Sequence, residues 1–398
     1  MAAPHSIEQA EVAGKRVVLR VDLNVPLDGG RVRDATRIER VVPTIELLLE
    51  RGAAVILLSH LGRPDGEPRA DLSLEPVAQA VAAKLGRPVT FIATDWRGGS
   101  AAELAEGLMP GQVALMENVR FHRGEETNDP QFADELASLG DIYVNDAFSA
   151  AHRAHASTEG IAHRLPSFAG LAMVAEIEAL TRALETPQRP VIAIVGGAKI
   201  STKIAVLKNL VDKVDHLVIG GAMANTFLFA ERIAIGKSLH EPMQDRVARD
   251  IMETARKKSC HVVLPLDAVT ARELAPGVAS KVVRLDAIGE EEMILDVGPK
   301  TVDYINRLID RDATLVWNGP LGAFEVPPFD RSTIDVAVHA GERTRDGRLV
   351  SIAGGGDTVA ALNAAGVIDD FTYVSTAGGA FLEWLEGKDL PGIAALMR

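Results

Sequence analysis

Eleven runs of strand length recur along this sequence, and several are apolar at consecutive positions. In the first half they are Val17–Val21, Ala54–Leu58, Val89–Ile92, Val113–Met116 and Ile142–Val144. In the second they are Val191–Val195, His216–Ile219, His261–Leu264, Thr314–Trp317, Leu349–Ala353 and Tyr373–Ser375. A strand with one wet face alternates apolar and polar side chains. One that is apolar throughout is covered on both faces, as in a parallel sheet flanked by helices. Helical patterns lie between the runs, at Thr36–Glu50, Leu74–Leu85, Lys203–Leu210 and Met243–Lys257. The alternation predicts an α/β fold.

A chain of 398 residues exceeds one core of about 100–200 residues and suits two. Ala169–Thr186 reads as one helix, with Leu171, Val174, Ile177 and Leu184 spaced for an apolar face. It stops at Thr186-Pro187-Gln188-Arg189-Pro190, where two prolines forbid continuation. The boundary between domains is expected there, with the helix as connector. The only cysteine, Cys260, allows neither an internal disulfide nor a four-cysteine zinc site, and fits a reducing cytoplasm. No stretch reaches the ~18 uninterrupted apolar residues of a membrane span. A net charge of −13 and an aromatic content of 4% argue against nucleic acid as a partner.

Ligands of open α/β sheets bind beyond the carboxyl ends of the strands, so the residues after each run carry the functional signal. In the first half these are cationic or polar. They are Arg20-Val21-Asp22-Leu23-Asn24-Val25-Pro26, Ser59-His60-Leu61-Gly62-Arg63-Pro64, Glu117-Asn118-Val119-Arg120-Phe121-His122-Arg123 and Asn145-Asp146-Ala147-Phe148 with His152-Arg153-Ala154-His155. That half is not basic overall, with 17 Lys and Arg against 24 Asp and Glu through residue 170. A single arginine at a strand end is ordinarily a solvated surface cation. Four strand ends in register make a pocket for a compact phosphate or carboxylate, which the guanidinium fork matches. His152 and His155 lack partners at metal-ligand spacing.

In the second half the strand ends carry glycine: Gly196-Gly197-Ala198-Lys199, Gly220-Gly221, Asn318-Gly319-Pro320-Leu321-Gly322, Gly354-Gly355-Gly356-Asp357-Thr358 and Ala377-Gly378-Gly379. Glycine admits close backbone approach, and a following helix points free N–H groups at phosphate. The pattern outlines a nucleotide-binding edge. The Walker A, dinucleotide G-x-G-x-x-G and protein-kinase signatures are all missing from the sequence, as are the G-x-S-x-G and H-E-x-x-H motifs.

Together these runs resemble the phosphoglycerate kinase family. The resemblance rests on Arg20–Pro26 (RVDLNVP), Ser59–Pro64 (SHLGRP), Glu117–Glu126 (ENVRFHRGEE), Val144–Ser149 with His152–Ser157, Trp317–Glu325 (WNGPLGAFE) and Gly354–Thr358 (GGGDT). It extends from the first strand to Gly392. It implies two doubly wound parallel-sheet domains, Rossmann-like and three-layered. Residues 1–170 would bind 3-phosphoglycerate or 1,3-bisphosphoglycerate, and 191–385 would bind Mg-ADP or Mg-ATP. Residues 171–190 would form the connector helix and hinge, and 386–398 a tail folding back on the first domain. By the same resemblance Asp22 and Asn24 bind the glycerate part, while Arg37, His60, Arg63, Arg120 and Arg153 hold its phosphate and carboxylate. Lys203 contacts the transferred phosphoryl group, and Asn318 and Glu325 lie at the base and ribose. Gly355, Gly356, Asp357 and Thr358 open a helix at the phosphates, with Asp357 binding Mg²⁺. The sequence departs from the family pattern at Ala377, where a third glycine is usual, and at Phe381, where serine is common. It departs again at Val174-Ala175, where a Glu-Lys pair is frequent.

The implied reaction moves a phosphoryl group between an acyl phosphate and ADP, in glycolysis or gluconeogenesis. The acceptor of the reverse direction is a carboxylate, with a reference pKa near ~4, and needs no general base. Charge on the transferring group is expected to be met by Arg37, Lys203, Mg²⁺ and N–H groups near Gly378 and Gly379. Lys203 stands in the first turn of its helix, where a cation is locally unfavourable without an anionic partner. Closure of the two domains about Ala169–Pro190 would exclude water. A cytoplasmic monomer is the family expectation. A kinase acting on another small phosphorylated acid, or a nucleotide-binding protein that has kept only the fold, are the competing readings.

Overall fold

The computed structural model describes residues 4–94, 96 and 100–397. The apolar runs build two six-stranded sheets. The first has the strand order Val89–Ile92, Val113–Met116, Ala54–Leu58, Arg16–Arg20, Ile142–Asn145, Ser167–Ala169. All its neighbours are parallel. The second has the order His261–Val263, His216–Ile219, Val191–Val195, Thr314–Asn318, Val350–Gly354, Tyr373–Ser375, again parallel throughout. Counting only these strands, the second order is 3-2-1-4-5-6, the doubly wound arrangement that places a switch point between its first and fourth strands.

Coverage on both faces is what the unbroken apolar runs require. Ala54–Leu58 and Val191–Val195 are buried at every position. One face of the first sheet packs Val17, Leu19, Val55, Leu57 and Val144 against Ile38, Val41, Ile45 and Leu48 of the Thr36–Glu50 helix. The residues that alternate with them, such as Val18, Ile56 and Tyr143, are buried as well. In the second sheet Ile192, Ile194, Leu315 and Trp317 pack on Ile305 and Leu308 of the Pro299–Ile309 helix and Val336 and Ala340 of the Arg331–Arg345 helix. Each such aliphatic side chain contributes roughly 1.5–3 kcal/mol.

The chain divides into two compact units. Residues up to Ile177, together with those from Asp389 onward, form one, and Glu178–Lys388 form the other. The division falls inside the Leu171–Leu184 helix. That helix is shorter than Ala169–Thr186, because Ala169 closes a sixth strand and pairs with Asn145. The segment from Asp389 returns to the first unit, where the Gly392 N–H donates to the Ala151 carbonyl at 2.8 Å. Two small antiparallel features escape the sequence pattern. One is the hairpin Leu27–Asp28 with Arg31–Val32; the other is a three-stranded sheet of Lys281–Arg284, Asp267–Ala271 and Met293–Val297. Among the described residues no helix is long and apolar enough to cross a membrane.

Candidate functional site

Four adjacent strands of the first sheet end on the same edge, and their loops bring the polar side chains together. Asp22 follows the Arg16–Arg20 strand. Its Oδ2 accepts from Arg37 Nη1 at 2.7 Å and also from the Ser149 hydroxyl, and its Oδ1 accepts from the Asn24 N–H at 3.0 Å. Asn24 in turn accepts from the Gly62 N–H at 3.0 Å, tying the first loop to the second. Arg37 is delivered by the first turn of the Thr36–Glu50 helix. Asp34 holds that turn by accepting from the Thr36 N–H and hydroxyl at 2.9 and 2.6 Å. Those bonds keep the Asp34 carboxyl below its usual range.

His60 is buried at the centre of this edge. Burial holds its imidazole well below the usual range, and the charges of Arg20, Arg120, Arg37 and Arg153 press the same way. Arg120 is buried too and donates to the Gly62 carbonyl at 2.7 Å. Its Nε lies 3.2 Å from Glu126 Oε1, close enough for attraction, but the N–H is not aligned for a hydrogen bond. Burial pulls Arg120 down to about 10; Glu126 opposes that, while Arg20 and Arg153 reinforce it. Arg153 is half-buried and donates to His152 Nε2 at 3.2 Å. Arg63 is exposed and has no hydrogen bond or ion pair of its side chain among the described residues. Guanidiniums crowded around a neutral imidazole raise one another's energy, and a multiply charged anion relieves that repulsion.

Sequence reasoning missed the buried layer beneath. Arg20 is 1% exposed, donating from Nε to Ser157 Oγ at 2.8 Å and from Nη1 to the Val21 carbonyl at 2.6 Å. Glu125, fully buried, accepts from the Ser157 hydroxyl at 2.6 Å and the Ser157 N–H at 2.9 Å. The available signal was an arginine closing an otherwise apolar strand. Such a charge lies inside the molecule and needs a partner.

In the second sheet the glycines converge at the switch point. A Cβ on Gly196 would lie 1.9 Å from the Pro320 carbonyl oxygen, and one on Gly319 would lie 2.3 Å from the Gly196 carbonyl oxygen. Only glycine allows these two strand ends to touch. Asn318 is buried; its Nδ2 donates to the Gly354 carbonyl at 2.7 Å, and its Oδ1 accepts from Lys203 Nζ. Lys203 occupies the N-cap position of the Ile204–Val211 helix. Burial holds its ammonium below the usual range, and Asp357 and Glu386 counter that. Thr358 Oγ1 accepts from the Gly319 N–H at 2.7 Å and donates to the Gly354 carbonyl at 3.0 Å.

Gly355, at φ +99°, is the N-cap of the Gly356–Ala364 helix, and Gly378 and Gly379 open the Gly378–Leu385 helix. Both helices begin at this edge with unpaired N–H groups. Asp357 and Glu325 are exposed, with no side-chain hydrogen bond or ion pair among the described residues, though the charge of Asp357 is felt by Lys203. Phe381 is fully buried and lies against Gly354, whose Cβ would come 2.6 Å from the ring. The phenyl ring thus fills core under the edge. Two cavities of about 550 and 500 Å³, which share Ile233, Leu266 and Leu285, include none of these glycines.

Among the described residues no group of three or more His, Cys, Asp or Glu could hold a metal. A lone carboxylate such as Asp357, at the mouth of a phosphate-suited helix, fits Mg²⁺, which keeps waters and takes oxygens from substrate phosphates.

The comparisons agree with this geometry. Residues 7–388 match the family model described as phosphoglycerate kinase. A phosphoglycerate kinase of Methylobacterium radiotolerans is 60% identical over 397 residues, spanning 100% of this chain and 99% of the relative. One of Sinorhizobium medicae is 61% identical over 386 residues, spanning 97% and 96%. The solved phosphoglycerate kinase of Coxiella burnetii superposes with a TM-score of 0.93 at 44% identity, covering 99% of this chain and 98% of that one. That of Pyrococcus horikoshii gives 0.81 at 29% identity, with 98% of each chain covered. The chain belongs to the phosphoglycerate kinase family.

Proposed function

We propose that this chain passes a phosphoryl group reversibly between 1,3-bisphosphoglycerate and ADP, giving 3-phosphoglycerate and ATP. The cation cluster of the first unit holds the glycerate substrate, and the glycine edge of the second holds the nucleotide. Membership of the family makes the chain a transferase with a carboxyl group as acceptor. The observation that carries the substrate assignment is the crowding of four guanidiniums on buried, uncharged His60. The cluster is organised for an anion before one arrives, so little reorganisation is needed on binding.

Asp22 and Asn24 accept from the glycerate hydroxyl. Arg37, His60, Arg63, Arg120 and Arg153 donate to its phosphate and carboxylate. Lys203 exchanges its bond with Asn318 for one to the transferring phosphoryl group, an anion that stabilises its buried ammonium. Glu325 sits at the ribose. Asn318, bonded to Lys203 and to the Gly354 carbonyl rather than placed out at the base, lies at the phosphate end, where the N–H groups of Gly355, Gly356 and Thr358 meet the phosphates. Arg37 and the N–H groups of Gly378 and Gly379 spread the charge of the transition state. Asp357 is the residue that would hold Mg²⁺, and the ion, when bound, offsets charge on the nucleotide phosphates. The acceptor carboxylate is ionised at neutral pH, so no side chain abstracts a proton. Substrates held on separate units must be brought together for in-line transfer, a step about the helix that joins them that also keeps water from the phosphoryl group. The enzyme works as a cytoplasmic monomer.

The test is ATP formation from 1,3-bisphosphoglycerate and Mg-ADP, compared with other phosphorylated acids. Arg37→Ala lowers kcat by roughly 10²–10³-fold and leaves ADP affinity nearly unchanged. Normal turnover in that variant removes Arg37 from its role.

A further inference from the structure

We infer that Arg20, Ser157 and Glu125 form a buried relay that fixes the proton of His60 on Nε2, so that His60 meets the substrate as a neutral donor. This rests on the reading that the first edge binds 3-phosphoglycerate. Arg20 Nη2 lies 3.1 Å from His60 Nδ1. A guanidinium carries five N–H donors and no acceptor. Nδ1 must therefore present its lone pair to Arg20, and the ring proton sits on Nε2. That nitrogen has no hydrogen-bond partner among the described residues and is not sealed from solvent.

Arg20 can act this way because three acceptors fix its fork. Nη1 donates to the Val21 carbonyl at 2.6 Å, Nη2 serves His60, and Nε donates to Ser157 Oγ at 2.8 Å. Ser157 Oγ accepts from Arg20 because its own proton goes to Glu125 Oε1 at 2.6 Å, while its N–H binds Oε2 at 2.9 Å. Burial pushes the Glu125 carboxyl upward, but His155, Arg20 and Ser157 together hold it below the usual range. The carboxylate thus offsets the buried guanidinium. Arg20, Ser157 and Glu125 are positioning residues: they act through His60 and leave contact with the substrate to His60 and to Arg37, Arg63, Arg120 and Arg153. A cationic His60 would add a further charge beside Arg20, Arg37, Arg120 and Arg153; a neutral donor adds a directed bond without that repulsion.

The experiment uses the full chain with ¹⁵N-labelled histidine, the His60 signal being assigned by its loss in His60→Gln. At pH 7 the free protein is expected to show His60 neutral and protonated on Nε2. A ring protonated on Nδ1, or an imidazolium, overturns the relay. Ser157→Ala removes the Nε acceptor and is expected to weaken 3-phosphoglycerate binding roughly tenfold. It should also introduce the second tautomer and leave Mg-ADP affinity unchanged. An unaltered tautomer with unaltered substrate affinity overturns it, and the wild-type spectrum decides alone if the variant does not fold. An Nε2–H signal in a chain that does not bind 3-phosphoglycerate supports the relay and overturns the substrate assignment instead.

Discussion

Asp146 makes the first unit less stable as pH rises. It follows the Ile142–Asn145 strand and is buried, with Oδ2 accepting from Thr44 Oγ1 at 2.6 Å and Oδ1 from the Met173 N–H at 2.9 Å. No cation pairs with it among the described residues. Burial pushes its carboxyl from 3.8 up to about 6, and the hydrogen bonds from Thr44, Met173 and Ala172 only partly oppose that. Below the unfolded value the group is protonated in both states and its full stability is present. Between the two values the unfolded chain loses its proton first, and stability falls. Above the folded value both states are ionised and the loss is complete. At 1.36 kcal/mol per decade the difference amounts to about 3 kcal/mol. Asp146→Asn keeps an acceptor for Met173 but cannot ionise. Its stability relative to wild type should therefore rise by about 3 kcal/mol between pH 3.5 and pH 7. Trp96 is the single tryptophan of the first unit. Urea unfolding followed by its fluorescence, in a Trp317→Phe, Trp384→Phe background, reads that unit alone. Comparing the two chains cancels groups such as Glu125, whose lowered value acts in the opposite direction. A difference that stays constant over this range would mean that Asp146 titrates alike in the folded and unfolded chains, and would refute the reasoning.

Gly355→Ala combines a φ of +99° with a Cβ 2.7 Å from Asn318 Nδ2. It should raise the KM for nucleotide roughly tenfold, with 3-phosphoglycerate affinity unchanged by calorimetry. Phe381→Ala should cost about 3–5 kcal/mol in the second unit, read as a lowered urea midpoint. Gly354→Ala should cost about 1–3 kcal/mol in wild type but less in the Phe381→Ala background, because the ring it strikes is gone. Strict additivity in that double-mutant cycle would count against the contact.

The two sheets were legible because runs such as Ala54–Leu58 and Val191–Val195 have no polar position to offer solvent. The glycine edge was legible for a related reason: the strand ends at Gly196 and Gly319 touch, and no other residue type fits there. The small sheet at Asp267–Val297 was not, since its strand Lys281–Arg284 is mostly exposed and carries no apolar periodicity. The strand Ser167–Ala169 was not legible, and its last residue, Ala169, was counted into the following helix, because three residues are too few to show a period. Arg120 and His60 were found from their place after strands. Glu125 and Ser157 were not, because 137 positions separate Ser157 from the Arg20 it serves. Nothing local marks a partner that distant.

The return of the last residues to the first unit has a consequence for biosynthesis. The Gly392 N–H reaches the Ala151 carbonyl, beside the loop that supplies Ser149 and Arg153. The ribosome must therefore complete Glu178–Lys388 before the first unit receives its final segment. At about 5–20 residues per second that interval lasts on the order of 10–40 s. Through that time the nascent first unit is unfinished beside the loop that carries Ser149 and Arg153, while the second unit, continuous in sequence, is free to fold as it emerges. The portion translated first is thus completed last.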